Sequence, residues 1–373
     1  MYHPPPAEIG MTLDEVDTPA LIVDLDAFES NVAQMADDAR RAGVRVRPHA
    51  KSHKCAVIAR RQMAKGAIGV CCQKVSEAEA LATAGVDNIL VSNQVVGTPK
   101  LKRLAGLSKA ITASVCVDNA ENARNLSDAM VALDTDISVL VEIDVGSNRC
   151  GVLPGSDAVE LANVIASLPG LRFGGLQAYQ GRAQHLRTHR EREDAITAAT
   201  AQTRETVALL QAAGHRCETI GGAGTGTYEF ESVTGIYNEL QVGSYIFMDA
   251  DYAKNLDAAG EHISHFQHSL FLLATVMSYP SRDRALLDAG LKAMSFDSGL
   301  PTVHQRSGIE YIGASDEHGK LALDGANDLK LGDKVRLIPG HCDPTVNMHD
   351  WYVALRNGVV EGLWPIVARG AIF

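Results

Sequence analysis

Short apolar segments alternate with longer amphipathic segments between about residues 44 and 250. The apolar segments predict eight strands, at residues 44–51, 67–73, 88–93, 113–119, 138–145, 172–180, 218–224 and 239–249. The intervening segments, such as "SEAEALATAG" and "SDAVELANVIASLPG", carry apolar residues at helical spacing, with glycine or proline near their ends. Eight strands that alternate with helices predict an α/β fold with a (β/α)8 TIM-type barrel, and a doubly wound open sheet is the competing architecture.

The pattern changes after about Asp251, where helical periodicity fades and short strands separated by turns take over. This change predicts a second, β-rich domain at the C-terminal end. The stretch "TPALIVDLDAF" (Thr18 to Phe28) predicts another strand followed by a helix, and we expect that strand to pack with the C-terminal sheet. The predicted domains are a barrel over residues 28–255 and a discontinuous β-rich domain over residues 1–27 and 256–373.

Charge and composition narrow the possible partners. The 373 residues carry a formal net charge of −11 and no basic block, which argues against binding to nucleic acid or to an anionic membrane surface. No apolar run approaches the roughly 18 residues of a membrane-spanning helix, and the N-terminal stretch lacks the pattern of a signal peptide. The seven cysteines include no C-x-x-C pair, so we expect a reducing, cytoplasmic compartment.

Polar side chains collect at the predicted carboxyl ends of the strands, the face on which barrel enzymes hold their active sites. The first strand ends in "RPHAKSHK", where Lys51 lies beside His49 and other cations. Nearby cations and partial burial lower the pKa of a lysine, and the neutral amine attacks a carbonyl to form a Schiff base. A solvated basic patch at a strand end is the alternative interpretation of this stretch.

Two small-residue turns lie in the seventh and eighth strand regions. The stretch "GGAGTGT" (Gly221 to Thr227) lets backbone N–H groups approach an anion, and barrels often bind phosphate between the loops after strands seven and eight. The eighth strand adds "VGSY" (Val242 to Tyr245), with two hydroxyl groups. The G-x-G-x-x-G dinucleotide pattern is not met, because Thr227 stands at its sixth position, and a plain tight turn is the alternative.

Three further side chains follow the fifth and sixth strands. Arg149, in the glycine-flanked loop "GSNRCG", could donate to a ligand oxygen or form a structural ion pair, and Tyr179 ends the sixth strand. His185, in the following loop, is a candidate base because an imidazole titrates near neutral pH, although a lone loop histidine is often only a surface residue.

The stretch "GHCDPTVNMHD" (Gly340 to Asp350) could be a metal site, hold a thiol nucleophile or form a polar turn. It follows the strand-like run "DKVRLIP", and in an extended chain residues two apart share one face. His341 and Asp343 would then converge while Cys342 points away. One imidazole and one carboxylate are two ligands short of a closed metal cage.

A lysine, a phosphate cradle, an arginine and a tyrosine on one barrel face suggest pyridoxal 5'-phosphate as the cofactor. The chain resembles the D-threonine aldolase and 3-hydroxy-D-aspartate aldolase family, of the alanine-racemase-like (fold type III) pyridoxal phosphate enzymes. Its most specific blocks are "RPHAKSHK", "GVCCQKVSEAEA", "VEIDVGSNRCGV", "LQAYQG", "GGAGTG", "YNELQVGSYIFMDADY", "DAGLKA", "DEHG" and "HCDPTVNMHD". The resemblance implies a homodimer whose active sites lie at the subunit interface.

The resemblance also implies how the cofactor is held. Lys51 would bind it covalently, Arg149 would contact its phenolic oxygen, and Tyr179 would meet its pyridine nitrogen. The residues around the phosphate would be Gly224, Thr225, Gly243 and Tyr245.

The base and the metal ligands come from the same resemblance. His185 would take the proton of the substrate's hydroxyl group, and His341 and Asp343 would bind a divalent cation. Oxygen-rich coordination suits Mn²⁺, Mg²⁺ or Co²⁺. The similar D-serine dehydratases carry His-x-Cys at this position, so Asp343 favours an aldolase.

The implied activity is retro-aldol cleavage of D-3-hydroxy amino acids, of the D-threonine type, to glycine and an aldehyde. The alternatives are a 3-hydroxy-D-aspartate aldolase that gives glycine and glyoxylate, and D-serine or hydroxyaspartate dehydratase or racemase chemistry. A non-catalytic cofactor carrier is a different class, which predicts neither a metal pair nor a C-terminal domain. A β-carboxylate substrate would need a cation near the metal, and Arg182 is a candidate that the sequence does not place.

Overall fold

The chain forms two β-sheets, and the computed structural model describes residues 3–325 and 328–373. Strand β1 (Ala20–Asp24) is followed directly by helix α1 (Leu25–Ala42). The Asp24 side chain accepts hydrogen bonds from the N–H groups of Asp26 and Ala27, and Gly43, at φ 69°, ends the helix in the left-handed conformation that glycine tolerates. These two caps fix the path from the first strand into the barrel.

A closed ring of parallel strands forms the barrel. Its strands are β2 (Arg45–Val46), β3 (Val70–Cys72), β4 (Asn88–Gln94), β5 (Thr112–Val117), β6 (Ile137–Glu142), β7 (Leu171–Gln177), β8 (Thr219–Gly222) and β9 (Glu239–Leu240). They are ordered β2-β9-β8-β7-β6-β5-β4-β3, and a bridge between His49 and Cys71 joins the first to the last. The barrel prediction is confirmed, and the open sheet is wrong because the two edges meet.

Helices connect the barrel strands and cover their outer faces. The helices that follow α1 are α2 (Ala56–Ala64), α3 (Val75–Thr83), α4 (Thr98–Ser108), α5 (Ala120–Ala132), α6 (Ser156–Ser167), α7 (His189–Ala212) and α8 (Tyr228–Glu231). Thr188 and Glu191 form a capping box at the start of α7, the longest of them. None of the described helices has the length and apolar character needed to cross a membrane.

The second sheet is built mainly from residues that follow the barrel. Its later strands are β10 (Leu270–Ser281), β11 (Arg284–Leu287), β12 (Thr302–Val303), β13 (Ile309–Ala314), β14 (Gly319–Leu323), β15 (Lys334–Ile338), β16 (Trp351–Arg356) and β17 (Val359–Pro365). Strand β1 lies inside this sheet, antiparallel to β10 and parallel to β16. The predicted domain boundaries, at residues 27/28 and 255/256, stay a prediction.

The second sheet delivers one segment to the mouth of the barrel. Helix α9 (Cys342–Val346) follows β15 and packs against the single helical turn Ala50–Ser52, which comes directly after the first barrel strand. The carboxyl ends of the barrel strands and the segment around α9 therefore face each other across one space.

Candidate active site

A cavity of about 470 Å³ opens between the barrel mouth and the α9 segment. Nine of the ten site residues expected from the sequence line it, and they come from seven separate parts of the chain. They are Lys51, Arg149, Tyr179, His185, Gly224, Thr225, Gly243, His341 and Asp343.

Lys51 lies at the centre of this cavity, on the turn that follows β2. Its Nζ is 3.0 Å from Asp343 Oδ2, so the two walls of the cavity meet through an ion pair. The Asp343 carboxylate raises the pKa of Lys51, and this effect outweighs burial. The expectation that neighbouring cations lower this pKa is therefore wrong for this structure, because the closest charge is an anion from the other sheet.

His49 lies beside Lys51 and was noticed in the sequence only as a neighbour. Its Nε2 is 2.8 Å from Gln73 Nε2 and 3.1 Å from Ser92 Oγ. Burial and the nearby Lys51 charge hold the pKa of His49 well below its ordinary value. The imidazole is therefore neutral, and it lines the cavity without adding a charge.

Arg149 and Tyr179 form a second group on the barrel wall. The Arg149 guanidinium lies 5.6 Å from the centre of the Tyr179 ring and 3.9 Å from Glu142 Oε1. Ser147 holds the backbone here, donating from Oγ to the Tyr179 carbonyl at 2.9 Å. Burial raises the pKa of Tyr179, so its phenol stays protonated and can donate a hydrogen bond.

The glycine loop after β8 is shaped by the side chain of Gln184. The Gly226 N–H donates to Gln184 Oε1 at 2.9 Å, and a Cβ added at Gly224 would lie 2.4 Å from that same side chain. A side chain at position 224 would therefore require the Gln184 amide to shift. The Thr225 hydroxyl is buried and has no hydrogen-bond partner among the described residues, so it is free to donate to an anion in the cavity.

Tyr245 is the one expected site residue that the structure places elsewhere. Its side chain is 1% exposed, its hydroxyl accepts a hydrogen bond from Gln62 Nε2 at 3.0 Å, and its ring packs against Phe266. The side chain of Tyr245 therefore does not line the cavity, and the expected place of this residue around the phosphate stays a prediction. The helical turn Ser244–Ile246 rotates this ring into the core, whereas Gly243 and Ser244 remain at the cavity.

His185 is held by a carboxylate that the sequence did not single out. Its Nδ1 donates to Asp251 Oδ2 at 2.8 Å, and Arg187 donates to Asp251 Oδ1 at 2.5 Å. Burial would raise the pKa of Asp251, but these two hydrogen bonds outweigh it and the pKa is lowered. Asp251 is therefore an anion that fixes the tautomer of His185 and leaves Nε2 as the acceptor.

His341 and Asp343 lie on the opposite wall, but not for the reason expected. The strand ends at Ile338 and α9 begins at Cys342, so the segment is not extended through Asp343. Cys342 is nevertheless directed away, with Sγ 3.4 Å from the Met248 carbonyl oxygen. His341 Nδ1 donates to Asp297 Oδ2 at 2.7 Å, which is an outer partner that the sequence analysis missed.

One oxygen on this wall has no partner. Asp343 Oδ1 is buried without a hydrogen bond from any described residue, although Oδ2 pairs with Lys51. No set of three or more His, Cys, Asp or Glu side chains in residues 3–325 and 328–373 is arranged to hold a metal ion. A cation at this wall would therefore take two protein ligands and complete its shell with water or substrate oxygens.

Comparison with known proteins finds matches over both parts of the chain. The family model for the alanine racemase N-terminal domain matches residues 23–251, and the model for a putative serine dehydratase domain matches residues 269–355. The chain is 49% identical to a 3-hydroxy-D-aspartate aldolase of Paracoccus denitrificans, over 98% of this chain and 95% of that protein. It is 48% identical to a D-threonine aldolase of an Arthrobacter species, over 98% and 96% of the two chains.

Solved structures agree with these matches. A D-threonine aldolase from Filomicrobium marinum superposes with a TM-score of 0.96 at 50% identity, covering all of both chains. A D-threo-3-hydroxyaspartate dehydratase, described as a mutant in the metal-free form, has a TM-score of 0.83 at 28% identity and covers 95% of this chain and 98% of its own.

Proposed function

Because the chain belongs to the family of D-threonine aldolases and 3-hydroxy-D-aspartate aldolases, we propose that it cleaves D-3-hydroxy amino acids between Cα and Cβ, giving glycine and an aldehyde. The observation that carries this proposal is the meeting of Lys51 with the His341–Asp343 wall across one cavity. An amine, a proton acceptor and a cation site in one space are what the reaction needs.

Pyridoxal 5'-phosphate fits the barrel wall. The unpartnered Thr225 hydroxyl is suited to a phosphate, and Gly224 and Gly243 line the same cavity. Lys51 would hold the cofactor covalently, Arg149 would face its phenolic oxygen, and Tyr179 would face its ring nitrogen. When bound, this cofactor supplies an electron sink for the bond that breaks.

A divalent cation fits the opposite wall, where Asp343 Oδ1 lacks a partner and His341 is oriented by Asp297. The description of a related dehydratase mutant as metal-free supports a metal at this place in the fold. We propose Mn²⁺, with Mg²⁺ or Co²⁺ as substitutes, since a carboxylate and water oxygens with one imidazole suit these ions. Such an ion lowers the pKa of a hydroxyl group that binds it.

His185 would take the proton of the substrate's hydroxyl group at Nε2. Its Nδ1–H is already committed to Asp251, and the Asp251 anion stabilises the imidazolium that forms. Arg187 keeps Asp251 ionised and in position. The proton therefore moves to a base whose orientation is set before the substrate arrives.

We further propose that the chain works as a cytoplasmic homodimer. Lys51 and Arg149 keep 46% and 55% of their side-chain surface exposed in the single chain, which is high for residues that act in a closed site. A second copy that covers the cavity would exclude water from both side chains.

The test is a product assay. Purified protein with pyridoxal phosphate and Mn²⁺ is offered D-threonine, L-threonine, 3-hydroxy-D-aspartate and D-serine. We expect glycine with acetaldehyde from D-threonine or glycine with glyoxylate from 3-hydroxy-D-aspartate, and no product from L-threonine. A keto acid with ammonia would instead identify a dehydratase, and the absence of any product would reject the proposal.

A further inference from the structure

One cation of the cavity has no partner among the described residues. Arg182 lines the cavity, and its guanidinium makes no hydrogen bond or ion pair with any residue in the described parts of the chain. Its backbone N–H donates to Gln180 Oε1 at 3.2 Å, which fixes the start of the helical turn Gly181–His185. The backbone of Arg182 is therefore held while its side chain remains free for a ligand.

The geometry of this turn places Arg182 beside the proposed base. Residues Gly181–His185 form a 3-10 helix, in which side chains at positions i and i+3 lie one above the other. Arg182 and His185 are three residues apart, and both line the cavity. A group bound by Arg182 therefore lies next to the atom on which His185 acts.

The other cations of this region are already engaged. Lys51 pairs with Asp343 at 3.0 Å, and Arg187 pairs with Asp251 at 2.5 Å. Arg149 lies over Tyr179 and 3.9 Å from Glu142. Among the described residues, Arg182 is therefore the one arginine or lysine of the cavity lining that has no ion pair and no proposed contact with the cofactor.

We propose that Arg182 binds a carboxylate on the β-carbon of the substrate, so that the chain prefers 3-hydroxy-D-aspartate to D-threonine. This inference rests on the proposed aldolase function. His185 acts on the hydroxyl of Cβ, and the second substituent of the same carbon is a carboxylate in hydroxyaspartate and a methyl group in threonine. A guanidinium binds a carboxylate through two parallel hydrogen bonds and gains nothing from a methyl group.

The test compares kcat/KM for the two substrates in wild type, Arg182→Gln and Arg182→Lys. We expect the wild type to favour 3-hydroxy-D-aspartate. Arg182→Gln should lower kcat/KM for that substrate by roughly 10- to 100-fold, the effect of losing a charged hydrogen-bond partner, and should change the value for D-threonine by less than about 3-fold. Arg182→Lys should recover part of the loss, because the charge is kept and the planar fork is not.

A matched control separates local recognition from net charge. Arg190→Gln removes an exposed arginine of α7 whose partner is Asp194 at 3.0 Å, outside the cavity. It changes the net charge by the same amount as Arg182→Gln and should leave kcat/KM unchanged for both substrates. Equal loss with Arg190→Gln would overturn the proposal, since the effect would then be general electrostatic attraction.

An inhibition measurement tests the same contact with ligands that are not themselves cleaved. Succinate carries two carboxylates and butyrate one on chains of equal length, and each is assayed as a competitive inhibitor of D-threonine cleavage. We expect succinate to inhibit the wild type more strongly, and Arg182→Gln to remove that advantage. If succinate still inhibited Arg182→Gln more strongly than butyrate does, by the same factor as in the wild type, the assignment of Arg182 would be overturned.

The remaining outcomes are distinct from failure of the proposed function. If Arg182→Gln lowers kcat/KM equally for both substrates, the residue binds a group that they share, such as the α-carboxylate, and the β-carboxylate subsite is refuted. If the wild type cleaves D-threonine but not 3-hydroxy-D-aspartate, the subsite is refuted and the aldolase stands. Cleavage of neither substrate would reject the aldolase itself.

Discussion

The two walls of the cavity are held in place by different means. On the barrel wall, Lys51, Tyr179 and the glycine loop follow directly after parallel strands, so the closed ring of strands fixes where they lie. On the opposite wall, Asp343 lies in the short helix α9, and His341 is the residue directly before it. The start of this helix is positioned by long-range hydrogen bonds, with Cys342 N–H donating to Asp249 Oδ2 at 3.2 Å and His341 donating to Asp297.

This difference predicts that the two walls can be damaged separately. The barrel wall holds the proposed cofactor, and the α9 segment holds the proposed metal. Loss of a side chain from one wall should therefore leave the ligand of the other bound, with one exception: Asp343 contacts Lys51 and belongs to both.

The largest effect is expected from Lys51→Ala. It removes the amine that would bind the cofactor, and it should lower kcat by about 10⁴-fold or more. Borohydride reduction followed by mass spectrometry should show the cofactor attached to the wild type and to the control Lys100→Ala, whose exposed lysine lies outside the cavity. Covalent attachment that persists in Lys51→Ala would show that another amine carries the cofactor.

His341→Ala should remove metal binding at the opposite wall and leave cofactor binding at the barrel wall intact. We expect cleavage to fall by about 10³-fold, since the activation of the hydroxyl by the cation is lost, while the visible absorbance of the bound cofactor is unchanged. Treatment of the wild type with EDTA should give the same loss, and Mn²⁺ should restore only the wild type. The control is His262→Ala, which removes an exposed histidine outside the cavity. Loss of cofactor from His341→Ala would show that the walls are not independent.

A smaller effect is expected from the carboxylates behind the two histidines. Asp251→Asn and Asp297→Asn should each lower one measured parameter by roughly 10- to 100-fold, the usual effect of losing an outer partner. The parameter should differ between the two variants. Asp251→Asn should lower kcat at unchanged Mn²⁺ affinity, because it disturbs the base. Asp297→Asn should weaken Mn²⁺ binding, and kcat should return at saturating metal. Asp136→Asn, in an exposed ion pair with Arg172, is the control. If both variants altered kcat alone, or both altered Mn²⁺ affinity, the two walls would not act separately.

The smallest effect concerns stability behind the barrel wall. Glu231 is 1% exposed and accepts a hydrogen bond from Thr227 of the glycine loop, and burial raises its pKa to about 8. Because this pKa is raised in the folded state above its ordinary value of 4.5, the stabilising contribution is complete below that value and is lost as pH rises through about 8. The melting temperature of the wild type should therefore fall more between pH 6 and 9 than that of Glu231→Gln. Identical pH profiles by calorimetry would contradict this assignment.

The sequence predicted the barrel wall better than the opposite wall, for a physical reason. Alternation of strands and helices locates strand ends, and strand ends locate Lys51 and Tyr179 without knowledge of any distant contact. The ring of Tyr245 lies in the core, away from the cavity, because a helical turn stands where the sequence predicted a strand. Asp343 lies at the cavity, but the extended geometry on which its prediction rested is absent, because the chain turns into α9.

What the sequence could not predict are the partners of the site residues. Asp251 and Asp297 act through histidines 66 and 44 positions away, and no local pattern links them. The raised pKa of Lys51 has the same origin, since Asp343 comes from the far end of the chain. The cations next to Lys51 in the sequence predicted a lowered pKa, but the charge closest to it in space is the Asp343 carboxylate, which raises the pKa.

Strand β1 also bears on how the protein is made. The ribosome completes β1 long before β10 or β16, because the whole barrel separates it from the two strands it lies between. Helix α1 contacts β2 and the turn Ser244–Ile246. Strand β1, which precedes α1 directly, is therefore held next to the barrel as the barrel forms. The edge of β1 that pairs with β16 stays open until translation is nearly finished, and open edges recruit other chains. A nascent chain released before β16 is therefore expected to aggregate or be degraded instead of persisting as a partial enzyme.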